Sequence, residues 1–74
     1  MNETLKKIFS ETFRISPDRI DENTSIDSLE TWDSLTHMEL VANLESALGL
    51  QFSSEEIISM TRFGAIAAIV GAKY

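Results

Sequence analysis

An all-α fold is what this sequence predicts: a four-helix bundle of three long helices and one short one, with a long loop between the first two. Three observations carry that prediction. Apolar residues recur at helical spacing in separate stretches. Start and stop residues punctuate those stretches, with Asp33, Ser53 and Thr61 at starts and Gly49 and Gly71 at ends. Alternating β-branched runs and hairpin signals are missing from the sequence. The 74 residues suffice for one domain, residues 1–74, and are too few for two. A domain this small buries about 60% of its unfolded surface, so a modest stability is expected.

The first helix is expected from about Glu3 to Arg14. Leu5, Ile8, Phe9, Thr12 and Phe13 make one stripe facing a core, while Lys6, Lys7, Ser10 and Glu11 face water. Its stop is expected at Ser16-Pro17, because proline disfavours helix in the residue before it. The same pair, with Ser16 as N-cap and Pro17 in first position, is also able to begin a short helical turn. Residues 18–31 read as a long, ordered loop. It is acidic (Asp18, Asp21, Glu22, Asp27, Glu30), and Ile20, Ile26 and Leu29 are spaced along it as anchors. The calcium-loop pattern of alternating aspartates and a glycine is absent, so the charge reads as a solvated face.

The second helix is expected from Ser34 to Leu48, with Asp33 as N-cap and Gly49 as the residue that ends it. At about 100° per residue, Leu40, Leu44, Ala47 and Leu48 fall on one side, with Val41 at the flank. His37 projects to that same side. Leu35 and Ala42 point away from it, and Met38 lies between. Trp32 reads as an anchor for the loop or as part of a partner surface, with packing favoured. Ser53 and Glu56 have the spacing of a capping box, and Phe52 and Ile57 that of a hydrophobic staple, so a short helix starts there. Thr61 reads as the N-cap of a last helix, which keeps the third one short; that last helix has the stripe Phe63, Ile66, Ile69 and Val70 and closes near Gly71.

Twelve acidic residues against six basic ones give a net charge of −6. That excludes nucleic acid as a partner, since its phosphates would be repelled. It favours partners with basic patches, because complementary fields speed encounter. There is no cysteine, hence no disulfide and no thiolate metal site. The N-terminal residues lack a long apolar run, so neither a signal peptide nor a spanning segment is expected. The expected protein is cytoplasmic, monomeric and free of membrane.

The stretch Thr31-Trp32-Asp33-Ser34-Leu35-Thr36-His37-Met38-Glu39-Leu40 organises the chain. With Asp33 as cap, Ser34 stands at the helix start, where backbone amides and the helix dipole favour an attached phosphate. Asp33-Ser34-Leu35 followed by Met38-Glu39-Leu40-Val41 resembles the prosthetic-group attachment site of the acyl carrier proteins. The resemblance implies that Ser34 carries 4′-phosphopantetheine, whose thiol holds an acyl group as a thioester, with a phosphopantetheinyl transferase supplying the magnesium and coenzyme A. It also implies a four-helix bundle of this order and proportion, and it covers essentially the whole chain. A second Asp-Ser-Leu lies at Asp27-Ser28-Leu29, but no helical apolar period follows it. An outward Leu35 and a marginal Met38 beside Ser34 suit contact with partner enzymes, as do Glu39 and Glu45, which match acidic positions of the family.

Two departures from the family pattern matter. Thr31 stands where a glycine is typical, with Trp32 after it, and Thr36 and Ser46 occupy positions where acids are common. These point to a dedicated carrier in a specialised pathway, such as secondary metabolism or surface-sugar modification, rather than housekeeping fatty-acid synthesis. A peptidyl or D-alanyl carrier is the nearest alternative, followed by an unmodified helical interaction module. A serine hydrolase would pair Ser34 with His37, but no orienting acid, oxyanion hole or pocket has a signature here. Gly-rich phosphate loops and metal-ligand spacings are also absent. The chain is therefore expected not to be an enzyme.

Overall fold

The computed structural model describes residues 2–73; the end residues of the expected domain, 1 and 74, lie outside them. Helix α1 spans Asn2–Phe13, α2 Ser34–Leu48, α3 Ser54–Ser59 and α4 Phe63–Lys73. Leu5, Phe9 and Phe13 form the buried stripe of α1, with Ile8 and Thr12 half-buried at its edges. α2 packs chiefly on α1. Leu40, Val41 and Leu44 are buried and Leu48 half-buried, whereas Ala47 is exposed, at the margin of its expected stripe. Gly49 ends α2 in the left-handed conformation, φ 67°, its amide donating to the Glu45 carbonyl at 2.9 Å.

The end of α1 differs from the sequence expectation. Proline does not stop it. The helix closes at Phe13, and Arg14 follows in the left-handed region at φ 59°. The Ile15 amide then reaches back to the Ser10 carbonyl at 3.2 Å, the six-to-one bond of a Schellman end. The Ser10 hydroxyl donates to the Ile15 carbonyl at 2.7 Å, so Ser10 is half-buried and not simply solvated. Ser16-Pro17 instead starts a single 3₁₀ turn, Pro17–Arg19, with the Ser16 hydroxyl accepting from the Asp18 amide.

The loop is ordered by its anchors. Ile20 is buried, Ile26 and Leu29 pack half-buried against the core, and Trp32 is buried among the α1 aromatics. The Trp32 ring lies 5.2 Å from Phe9 and 4.8 Å from Phe13, centroid to centroid. Burial thus decides the Trp32 alternative in favour of packing.

The loop also closes the start of α4. The amides of Phe63 and Gly64 donate to the carbonyls of Thr24 and Glu22, at 2.8 and 3.0 Å. Backbone carbonyls, not Thr61, satisfy the first-turn amides that every helix leaves unpaired. A Cβ on Gly64 would sit 3.0 Å from the Glu22 carbonyl, so glycine permits this close approach. At its other end α4 runs through Gly71 to Lys73, past the expected stop. Lys73 pairs with Glu56 of α3 at 3.0 Å, which gives the last turn a reason to continue.

The capping box at α3 forms as its spacing predicts. The Ser53 hydroxyl accepts from the Glu56 amide at 3.2 Å, and the Glu56 carboxylate accepts from the Ser53 amide at 2.8 Å. No residue of α3 itself is buried; Phe52 before it and Met60 after it are. Ser53→Ala is expected to cost about 1 kcal/mol, the usual loss of a cap, read as a lowered urea midpoint. An unchanged midpoint would mean that this helix adds little to stability.

Candidate functional site

The site is the junction between the loop and α2. Trp32 pins the last loop residues in the core, and Asp33 turns the chain in an extended conformation, φ −119° and ψ −172°. The Asp33 carboxylate accepts from the Thr36 amide at 3.0 Å, and the Thr36 hydroxyl accepts from the Asp33 amide at 2.8 Å. This is a second capping box, with threonine in the third position. The same hydroxyl donates to the Thr31 carbonyl at 2.6 Å. Thr31 and Thr36, which depart from the family pattern, are therefore joined to each other. Sequence reasoning missed this pair, although the Asp-x-x-Thr spacing carried the signal.

Ser34 occupies the first helical position and is exposed. Among the hydrogen bonds of the described residues its hydroxyl takes no part. Ser28, the other serine in an Asp-Ser-Leu, is in the opposite state. Its hydroxyl accepts from the Ser25 amide at 2.8 Å and donates to the Ser25 carbonyl at 3.0 Å, which commits it to a tight turn. The two copies of one tripeptide thus differ in what the backbone asks of the serine.

Leu35 is 70% exposed and Met38 51% exposed, both on the outer side of α2. Glu39 is exposed and lines a polar cleft between α1 and α2, together with Glu11, Thr12 and Asn43. Glu45 has an internal task. It is half-buried, and its carboxylate accepts from the Phe52 amide at 2.9 Å, holding the connection into α3. His37 faces inward as expected, with both ring nitrogens engaged: Nδ1 by the Trp32 indole at 3.0 Å and Nε2 by the Ile57 carbonyl at 2.8 Å. Neither nitrogen is left to act as a base on Ser34, which removes the hydrolase reading.

Two carboxylates in the caps ionise more readily than usual. The backbone amide and then the hydroxyl of Thr36 hold Asp33 below its ordinary 3.8. The Ser53 amide and then Lys73 hold Glu56 below its ordinary 4.5. Over that range the unfolded chain binds more protons than the folded one, so folding loses stability as pH falls. The contribution of both caps is present above about pH 4.5 and is lost as pH drops through the folded-state values. Urea midpoints measured from neutral pH downwards are expected to decline below that point, and less steeply for Asp33→Asn with Glu56→Gln. An equal slope in that variant would assign the acid loss to other carboxylates.

An exposed, uncommitted hydroxyl at a rigidly capped helix start, set in a four-helix bundle with a long ordered loop, is the architecture of a carrier domain. Residues 3–70 match the family profile described as the phosphopantetheine attachment site, and the chain belongs to that family. The fold is similar to the holo acyl carrier protein of Geobacter metallireducens, known from solution NMR, with a TM-score of 0.86 and 30% sequence identity. That similarity covers 96% of this chain and 82% of the other. No curated protein matches the chain. It is a carrier protein of the acyl-carrier type with a covalent phosphopantetheine site, and not itself an enzyme. No helix among the described residues is long and apolar enough to cross a membrane.

Proposed function

We propose that Ser34 is the attachment point of the 4′-phosphopantetheine, and that the protein presents acyl intermediates on it to a succession of partner enzymes. The observation that carries this reading is the contrast between the free Ser34 hydroxyl and the committed Ser28 hydroxyl. The residues present fit the group. A phosphate ester at the first helical position lies by the positive end of the α2 dipole, with solvent on its outer side. Asp33 fixes the backbone there through Thr36, so that the hydroxyl is offered at one defined point. The bound group supplies the thiol on which an acyl chain is held as a thioester. Intact mass after incubation with coenzyme A and a broad-specificity phosphopantetheinyl transferase tests the reading; a mass that stays unmodified refutes it.

Partner recognition falls to the outer side of α2. Leu35 and Met38 are the exposed apolar residues flanking Ser34, Glu39 adds a carboxylate on the same helix, and the overall charge of −6 suits partners with basic patches. Glu45 contributes indirectly, through the loop that it holds. The uncharged Thr36 and Ser46 support a dedicated carrier of a specialised biosynthetic pathway. Leu35→Ala is expected to leave thermal unfolding unchanged and to slow prosthetic-group transfer, since apolar anchors near an interface centre dominate its energetics. A variant with every partner rate intact would exclude Leu35 from recognition.

A further inference from the structure

We propose that His37 is a positioning residue: as the Nε2–H tautomer it ties the buried Trp32 of the site loop to helix α3, and so fixes α3 against the first turn of α2. An indole N–H only donates, so the His37 Nδ1 that meets it at 3.0 Å accepts. The ring proton is then on Nε2, where it is donated to the Ile57 carbonyl at 2.8 Å. The imidazole lies nearly parallel to the indole, with an interplanar angle of 19° and centroids 6.0 Å apart. One side chain, three residues beyond Ser34, thereby joins three segments of the chain.

α3 needs such a tie. It has six residues, none of them buried, and a helix that short does not hold itself in water. The Ile57 carbonyl belongs to its last turn, where it lacks an i+4 partner and otherwise receives only the Met60 amide, at 3.3 Å. Among the described residues, the His37 bond is the one hydrogen bond that runs from α2 to α3. Ile58, the next residue, is 75% exposed, so the tie sets where an apolar side chain of α3 stands relative to the attachment point. At the other end Trp32 is held by Phe9 and Phe13, so the ring is referenced to the core rather than to the loop surface.

The chain has one tryptophan and one histidine, so each gives a single set of signals in NMR spectra of the intact protein. Long-range nitrogen correlation is expected to show the Nε2–H tautomer; the Nδ1–H tautomer would overturn the proposal. His37→Phe keeps a ring and removes both bonds. Amide exchange at Ile57–Met60, normalised to that of Leu44, is expected to rise about three- to tenfold, the range set by one net hydrogen bond, and the Trp32 indole signal to shift. His37→Gln places an amide donor near the Nε2 position and is expected to return α3 exchange towards wild type without restoring the indole shift. Unchanged exchange in His37→Phe, or no recovery in His37→Gln, would overturn the tie. The kinetic arm rests on Ser34 being the modified residue. There His37→Phe is expected to raise the transferase KM about threefold or more, with kcat little changed, because the surface is displaced and the hydroxyl is not. Failure of the wild-type protein to be modified would strike the Ser34 reading and leave the exchange result standing. A changed exchange with an unchanged KM would overturn the positioning role. Should His37→Phe fail to fold, the wild-type tautomer and the His37→Gln exchange decide.

Discussion

Replacing Ser34 by alanine is expected to leave the chain folded and to abolish its modification, while Ser28→Ala gains the prosthetic group at the normal rate. The Ser34 hydroxyl makes no hydrogen bond among the described residues, so its loss leaves no buried group unsatisfied and stability should move by less than about 0.5 kcal/mol, as at ordinary surface sites. The Ser28 hydroxyl bonds both the amide and the carbonyl of Ser25. Ser28→Ala should therefore destabilise the loop slightly while sparing the reaction. Intact mass after treatment with coenzyme A and transferase separates the two variants. Modification that survives in Ser34→Ala would place the attachment point elsewhere.

The largest expected effect on stability is at Leu44. Its side chain is 1% exposed, in the stripe with which α2 meets α1. Truncation to alanine loses the transfer energy of the buried carbons and leaves a cavity that the neighbours fill only in part, together about 2–5 kcal/mol. A domain of this size has about 5 kcal/mol in all, near the low end of the usual range, so much of the population should unfold. Circular dichroism during urea titration at 25 °C reads this directly. A loss below about 1 kcal/mol would show a core able to collapse around the gap. Leu35, nine residues earlier and 70% exposed, is the control, since it has little burial to lose.

Much of this was legible in the residues because the governing interactions are local. α2 begins and ends where Asp33 and Gly49 predict, and α3 begins where Ser53 and Glu56 do, because a cap involves residues three or four apart. The inward His37 and the outward Leu35 follow from helical geometry alone. What was not legible depends on residues distant in the chain. The start of α4 is completed by the carbonyls of Glu22 and Thr24, so no local signal at Thr61 could reveal it. Its continuation past Gly71 goes with the Lys73 pair to Glu56. The left-handed Arg14 is a different case. An arginine at φ 59° is uncommon, and nothing in its neighbours announces it. Within the site, the exposed serine and the packing of Trp32 were readable, but the role of Glu45 emerges only from the Phe52 amide.

The loop carbonyls that complete α4 have a consequence for how the chain comes apart. Ile26 to Thr61, Phe63 to Thr24 and Gly64 to Glu22 join segments about forty residues apart in sequence. Such contacts form only after a long closure and are lost together, so an irregular segment acquires the cooperativity of the whole domain. A protease that needs this loop extended must wait for α4 to detach, and cleavage there tracks the opening of the bundle instead of local fraying. The protein is thereby protected along the segment that leads to Ser34, even though that segment has almost no regular secondary structure.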